Sequence, residues 1–158
     1  MTAETELAET VERLAAEQTE LVLDSLTLND AWALGSIAVE IARERELPVV
    51  IEIRRGEQEV FHAAMEGTNA DNDTWVARKA ASVRRYAMSS LRLGLFFRMH
   101  GVDFHEASGL AKGEFVAAGG CIPLEVRSAG MVGTLAVSGL TDEQDHALAV
   151  EALRRHLA

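Results

Sequence analysis

The sequence has little of what secreted or membrane-bound proteins are built from. It contains one cysteine and two prolines in 158 residues, so no internal disulfide can form and a reducing compartment is expected. No apolar run is long enough to span a bilayer. The N-terminus carries glutamates where a signal peptide would carry basic residues. These absences predict a cytoplasmic protein without a membrane partner.

Basic residues are also few. Fifteen lysines and arginines stand against 25 acidic residues, which gives a formal charge of −10. Such a charge repels phosphate backbones, so nucleic acid is not expected as a partner. The 48% apolar content is that of a globular protein with a real core. We expect one domain over residues 1–158, with residues 1–22 as an N-terminal helix and candidate oligomerisation element.

Two amphipathic helices are predicted before residue 48. Residues 3 to about 20 repeat apolar side chains at three- and four-residue steps. Thr27 and Asp30 form a capping pair for a second helix, which Pro48 closes. The side chains of this helix that we expect in the core are Ala31, Leu34, Ala38 and Ile41. Trp32, near its start, is interpreted as a further core anchor.

The middle of the chain predicts a hairpin followed by a long helix. Residues 48–54 and 58–65 alternate in polarity. This alternation predicts a core face in which Val49, Ile51 and Ile53 are partnered by Phe61, Ala63 and Met65, and it places Glu52, Arg54 and His62 on the face away from the main core. A helical pattern then extends from Thr74 to about Phe97, with a break near Ser89 or Gly94. Residues 98–113 are predicted to be a connection without regular structure.

The C-terminal third predicts three strands and a helix. A short strand over residues 114–118 precedes a hairpin in which Gly119-Gly120 and Gly139 bracket two apolar strands. Thr141 opens the last helix with a capping box. The expected order is α-α-β-β-α-(α)-β-β-β-α. This order predicts an α+β fold, with an antiparallel sheet of about five strands and helices packed on it.

No metal site is predicted. His62 has no second histidine or cysteine at ligand spacing, and His100 and His105 lie in an irregular segment. Cys121 has no basic neighbour in sequence that would lower its pKa, which favours a buried structural thiol.

One helix face is the best candidate for a ligand site. Trp75, Arg78 and Lys79 share a face just after a polar loop, so an aromatic surface and two cations lie near a helix N-terminus. That arrangement suits a carboxylate or phosphate attached to a flat apolar body. The alternative is that both cations pair with carboxylates and that Trp75 fills an interface.

The turns of the C-terminal hairpin complete the predicted site. Its members are Gly119, Gly120, Pro123, Ser138 and Gly139. His146 is expected to line the pocket beside Ser138 and Gly139. A Ser138, His146 and Asp145 triad is excluded, because adjacent helical residues point about 100° apart and cannot form a dyad with each other.

The spacing of these residues resembles a known family. Gly67-Thr68, Asp71-Asn72, Trp75, Arg78-Lys79, Ser138-Gly139-Leu140 and Asp145-His146 are similar to a motif set of small proteins in the HbpS/GlcG-like superfamily, whose members are described as haem-binding or haem-degrading. The resemblance covers residues 25 to 155. It implies an oligomeric α/β fold and points to haem or another planar anionic ligand.

Three functions are therefore carried forward. The first is a non-catalytic homo-oligomer that binds a small planar anion such as haem. The second is a structural or adaptor oligomer that binds another protein and no small molecule. A haem-degrading enzyme is third, because convergent acid and base groups cannot be placed together from the sequence.

Overall fold

A five-stranded sheet with helices on both faces organises the chain, as described by a computed structural model of all 158 residues. The elements are α1 (Ala3–Glu20), β1 (Val22–Leu23), α2 (Leu28–Glu44), β2 (Val50–Arg55), β3 (Gln58–Ala64), α3 (Ala70–Tyr86), α4 (Ser90–Met99), α5 (Phe104–Ser108), β4 (Cys121–Val126), β5 (Gly130–Ser138) and α6 (Asp142–Leu157). The α+β class and the five strands confirm the predicted architecture.

The strands lie in the order β1-β4-β5-β2-β3. The β2–β3 and β4–β5 hairpins are both antiparallel, and they are joined by antiparallel pairing between β2 and β5. The strand β1 pairs with β4 in parallel. Two strand predictions were wrong. The strand expected over residues 114–118 is irregular, and β1, only two residues long, was not foreseen. Pro123 lies beyond the short stretch of β4 that β1 covers, as its missing N–H requires.

The larger core lies between the sheet and helices α2 and α6. Thr27 closes a full capping box at the start of α2, and the four predicted stripe residues of that helix are buried. Ile51 and Ile53 pair with Ala63 and Phe61 across the β2–β3 hairpin, which confirms the predicted register.

The opposite face of the sheet is covered by α3. Val76, Ala80 and Val83 of that helix pack on a small apolar cluster that includes Cys121. Glu52 points to this face, as predicted. Only 3% of it is exposed, and Arg54 donates a hydrogen bond to it at 2.5 Å. The polar side of β2 is therefore enclosed and internally paired.

The long helix is divided as predicted near Ser89. Ala87 takes a left-handed conformation with φ of 55°, which ends α3, and Ser89 then caps α4. The predicted start of α3 at Thr74 was too late, because Asn69 caps the helix and Ala70 begins it. The segment 98–113 also contains the short helix α5, which corrects the expectation of a bare connection.

Trp32 is not a core anchor. It is 67% exposed, and its ring meets Phe61 edge to face at 5.5 Å between centroids. The reason lies at Gly35, where a Cβ would sit 2.5 Å from the Phe61 ring. Phe61 packs into the groove that this glycine leaves, and Trp32 covers its outer edge.

Candidate functional site

Two sequence motifs separated by about 60 residues meet in one open cleft between the N-terminal turns of α3 and α6. We call it the α3–α6 cleft, and its volume is about 260 Å³. Its lining residues are Asp71, Asn72, Trp75, Lys79, Ala118, Ser138, Gly139, Leu140, Asp142 and Asp145. The end of β5 and the chain leading into α6 form its floor.

A buried ion pair lies at the base of this cleft. The Nζ of Lys79 donates to the carbonyl oxygen of Val137 at 2.9 Å and to Oδ2 of Asp145 at 3.2 Å. Both side chains are 3% exposed. The carboxylate also accepts from the backbone N–H groups of Gly139 and Leu140. Burial raises the pKa of Asp145, against the lowering influence of Lys79 and of these two donors.

Gly120 makes room for this pair. Its φ is +133°, and a Cβ there would collide with the carbonyl oxygen of Val137 and lie 2.8 Å from Nζ of Lys79. Gly119 has an ordinary φ, but a Cβ on it would lie 2.5 Å from the carbonyl oxygen of Asp142. The Gly119-Gly120 pair thus permits the close approach of β4 to the start of α6.

The predicted aromatic and cationic face of α3 is divided between two neighbouring hollows. Trp75 lines the cleft and donates its indole N–H to Oδ2 of Asp71 at 3.2 Å. Arg78 lies over the Trp75 ring at 4.2 Å from its centroid and donates to the carbonyl oxygen of Lys112. Arg78 lines a neighbouring hollow with Asp73 and Glu114, not the cleft itself.

The structure therefore brings together only part of the predicted site. Trp75, Lys79, Ser138 and Gly139 line the cleft. Gly119 and Gly120 border it, and Arg78 stands behind Trp75. The other two lie elsewhere, since Pro123 is on β4 and His146 points about 100° away from Asp145 around α6. The expectation that His146 lines the Ser138 pocket was wrong, because neighbouring helix positions point in different directions.

His146 instead lines a larger groove formed by α1, α4 and α6. We call it the α1–α6 groove, and its volume is about 680 Å³. Its apolar lining consists of Leu7, Leu14, Leu91, Leu95, Ala147 and Val150. Three arginines also line it, namely Arg13, Arg154 and Arg155. The groove exists because α1 contacts the body chiefly through the apolar pairs that it makes with α4.

Glu17 and His146 join α1 to α6 at the inner end of this groove. The Nε2 of His146 lies 2.8 Å from Oε1 of Glu17, and its Nδ1 is buried without a partner. This hydrogen bond is the main cause of a lowered pKa for Glu17. Glu17 is absent from the predicted site residues, because it belongs to a glutamate-rich helix of the kind that is typical of a solvated face.

Three of the other four histidines have hydrogen-bond partners, and the cysteine is buried. His62 bonds to Asp73, and the Nδ1 atoms of His100 and His105 bond to backbone carbonyl oxygens. Cys121 is fully buried, and burial raises the pKa of its thiol. No group of three or more His, Cys, Asp or Glu side chains is placed to hold a metal ion. None of the helices is long and apolar enough to cross a membrane.

Comparison with known proteins supports the resemblance seen in the motifs. Residues 26–154 match the family described as haem degrading protein HbpS-like. The UPF0303 protein of Streptomyces avermitilis is 47% identical over 148 residues, which are 94% of this chain and 91% of that protein.

Solved structures agree with this assignment. The crystal structure of the Ybr137w protein superposes with a TM-score of 0.88 at 26% identity, over 97% of this chain and 91% of that one. The crystal structure of a PduOC–haem complex gives a TM-score of 0.71 at 24% identity, over 82% and 94% of the two chains, and shows the same fold. From its sequence and its fold, the chain belongs to the haem-degrading HbpS-like family.

Proposed function

We propose that the protein binds haem or another planar carboxylate in the α1–α6 groove. The observation that carries this proposal is the groove itself, whose 680 Å³ lies within the range of about 300–1,000 Å³ usual for small-molecule sites. Its walls are leucine-rich, and its inner end carries a histidine bonded to Glu17. Three arginines lie on its rim beside Glu143 and Glu151, and Arg155 is paired with Glu151. A flat apolar body with carboxylates at one edge matches that lining.

The α3–α6 cleft fits such a ligand poorly, although the sequence pointed to it. Lys79 is buried and already paired with Asp145, so it has no free charge to offer a carboxylate. Asp71 and Asp142 add further negative charge to the lining. The volume of 260 Å³ is also below the usual range.

In the groove, each lining class has a role. The leucines of α1 and α4 would exclude water from the faces of the macrocycle. Arg13 and Arg154 would hold the carboxylates, since Arg154 is only loosely paired with Glu17 and Glu20 at 3.9 and 3.7 Å. His146 is the histidine of the groove, and it would ligate a haem iron only by exchanging the hydrogen bond between its Nε2 and Glu17 for the metal. The bound haem would then supply the redox chemistry.

Haemin titration tests the proposal. The absorbance spectrum of the protein with added haemin should show saturable binding, and Arg13→Gln/Arg154→Gln should weaken that binding by about tenfold or more, the equivalent of 1.4 kcal/mol. His146→Asn should change the absorbance of the complex. The matched control is Arg55→Gln/Arg127→Gln, which removes two positive charges from exposed side chains outside the groove.

Two outcomes would contradict the proposal. Unchanged binding in the groove variants, combined with loss in Trp75→Ala, would assign the ligand to the cleft. No binding of haemin by the wild type would favour the adaptor function, for which the exposed Leu28 and Trp32 on α2 are the supporting observation. A time-dependent loss of the haemin spectrum with added reductant would instead favour the haem-degrading alternative.

A further inference from the structure

The α3–α6 cleft contains polar groups that the fold itself does not use. Ser138 is 5% exposed, lines the cleft and has a hydroxyl without a hydrogen-bond partner in the chain. The hydroxyl faces the open cleft, where water reaches it. A ligand in the cleft can take the place of that water as the hydrogen-bond partner of Ser138.

The charge of the cleft decides the class of that occupant. Its lining holds the carboxylates of Asp71, Asp142 and Asp145 against the single ammonium of Lys79, an excess of two negative charges. The two helix N-termini contribute about half a positive charge each. The balance is still negative, so an anion is disfavoured and a cation is favoured.

The lining also distinguishes between kinds of cation. The donor groups do not form a cluster able to hold a metal ion. Trp75, Leu140 and Ala118 instead give the cleft an apolar side next to its carboxylates. An ammonium group on a short apolar chain matches both features, since its N–H groups need oxygen acceptors and its carbon chain needs an apolar wall.

We infer that the α3–α6 cleft binds a primary alkylammonium group, with Asp71 and Asp142 as its counter-charges and the Ser138 hydroxyl as a further acceptor. The site is separate from the α1–α6 groove and shares no lining residue with it. The inference therefore does not depend on haem binding, and either proposal can fail alone.

Tryptophan fluorescence provides the test, with n-butylammonium as the probe. In a Trp32→Phe background Trp75 is the only tryptophan, and it lines the cleft. We expect a saturable change in its fluorescence with n-butylammonium and none with n-butanol or butyrate. Nα-acetyl-lysine methylamide presents the same terminal group, and tighter binding of this probe would assign the ammonium to a polypeptide and not to a free amine.

Variants locate the binding. Asp71→Asn and Asp142→Asn should each weaken n-butylammonium binding by up to about fivefold, the upper end for an exposed ion pair. Ser138→Ala should weaken it as well. Glu114→Gln is the control, since it removes an equal charge from the neighbouring hollow. Equal responses to the amine and the alcohol, or unchanged binding in all three cleft variants, would overturn the inference.

Discussion

Gly120 is the residue at which backbone conformation matters most to the cleft. With φ of +133° and no space for a Cβ, Gly120→Val forces both strain and a collision with Val137. We expect a loss of about 3 kcal/mol or more in the free energy of unfolding, or no folding at all. Thermal unfolding measures this loss. Gly113→Val is the matched control, because a Cβ there meets nothing within 4 Å, and an equal loss in both variants would contradict the explanation.

Lys79 matters to stability because its ammonium group neutralises the buried carboxylate of Asp145. Lys79→Met leaves Asp145 buried without its counter-charge, and we expect a loss of about 3–5 kcal/mol in urea unfolding at neutral pH. Arg78→Met, which removes a half-exposed cation one residue earlier, should lose about 1 kcal/mol or less.

The pH dependence of Lys79→Met shows whether lost charge or lost packing causes its loss of stability. Burial already raises the pKa of Asp145, and loss of Lys79 removes the chief influence that lowers it. A raised carboxyl pKa destabilises the fold at high pH, and protonation relieves that cost as the pH falls. The deficit of Lys79→Met should therefore shrink in acid. A deficit that is constant with pH would mean that lost packing, not charge, explains it.

At this scale the sequence revealed residue types but not partners. It singled out Lys79 as a cation in a site, but the partner of Lys79, Asp145, lies 66 positions later in the sequence. The prediction for Trp32 was wrong for a similar reason, since only the three-dimensional contact with Phe61 shows that the Trp32 ring lies outside the core. Local patterns do not contain such long-range pairings.

At the scale of elements, prediction succeeded where the signals are local. The capping boxes at Thr27 and Thr141 gave the starts of α2 and α6, and alternation gave both hairpins. The strand β1 was not predicted, because two residues are too few to show a period and because its pairing with β4 joins Val22 to Glu125, about 100 positions later. Residues 114–118 looked like a strand, yet Val116 donates to Ser82 of α3 and no strand neighbour is present.

The attachment of α1 to α6 is an element-scale property with a pH dependence. The hydrogen bond with His146 holds the pKa of Glu17 below its ordinary value of 4.5. An acid with a lowered folded pKa stabilises the fold fully above its unfolded pKa, and this stability is lost as the pH falls through the folded pKa. Glu17→Gln should therefore lower stability at pH 7 and reduce its fall in acid.

Urea unfolding between pH 3 and pH 7 checks this expectation. The control is Glu12→Gln, on the exposed face of the same helix. If both variants follow the wild-type pH profile, the bond between Glu17 and His146 does not contribute measurably to the docking of α1.

At the scale of the whole molecule, the distribution of exposed apolar side chains bears on assembly. The apolar stripe of α1 is used inside the chain, where Val11 and Leu14 pack on Leu91 and Leu95. The prediction that residues 1–22 join subunits therefore rests on the part of α1 that lines the α1–α6 groove, which includes Leu7. On α2, by contrast, Leu28 is 50% and Trp32 is 67% exposed, and they are four residues apart on one face.

We accordingly propose a homo-oligomer whose interface includes this face of α2, since exposed large apolar pairs of this kind mark association surfaces.

Sedimentation velocity at micromolar concentration should show a species larger than the 17.1 kDa monomer. Leu28→Glu/Trp32→Glu should shift it toward monomer without loss of helix, because a glutamate in the first turn favours the helix dipole. Val102→Glu is the control, as an isolated exposed apolar residue that should leave assembly unchanged. A monomeric wild type would refute assembly. An oligomer that survives the α2 substitutions would show that the interface lies elsewhere. The α1–α6 groove would then be the next surface to test, by Leu7→Glu.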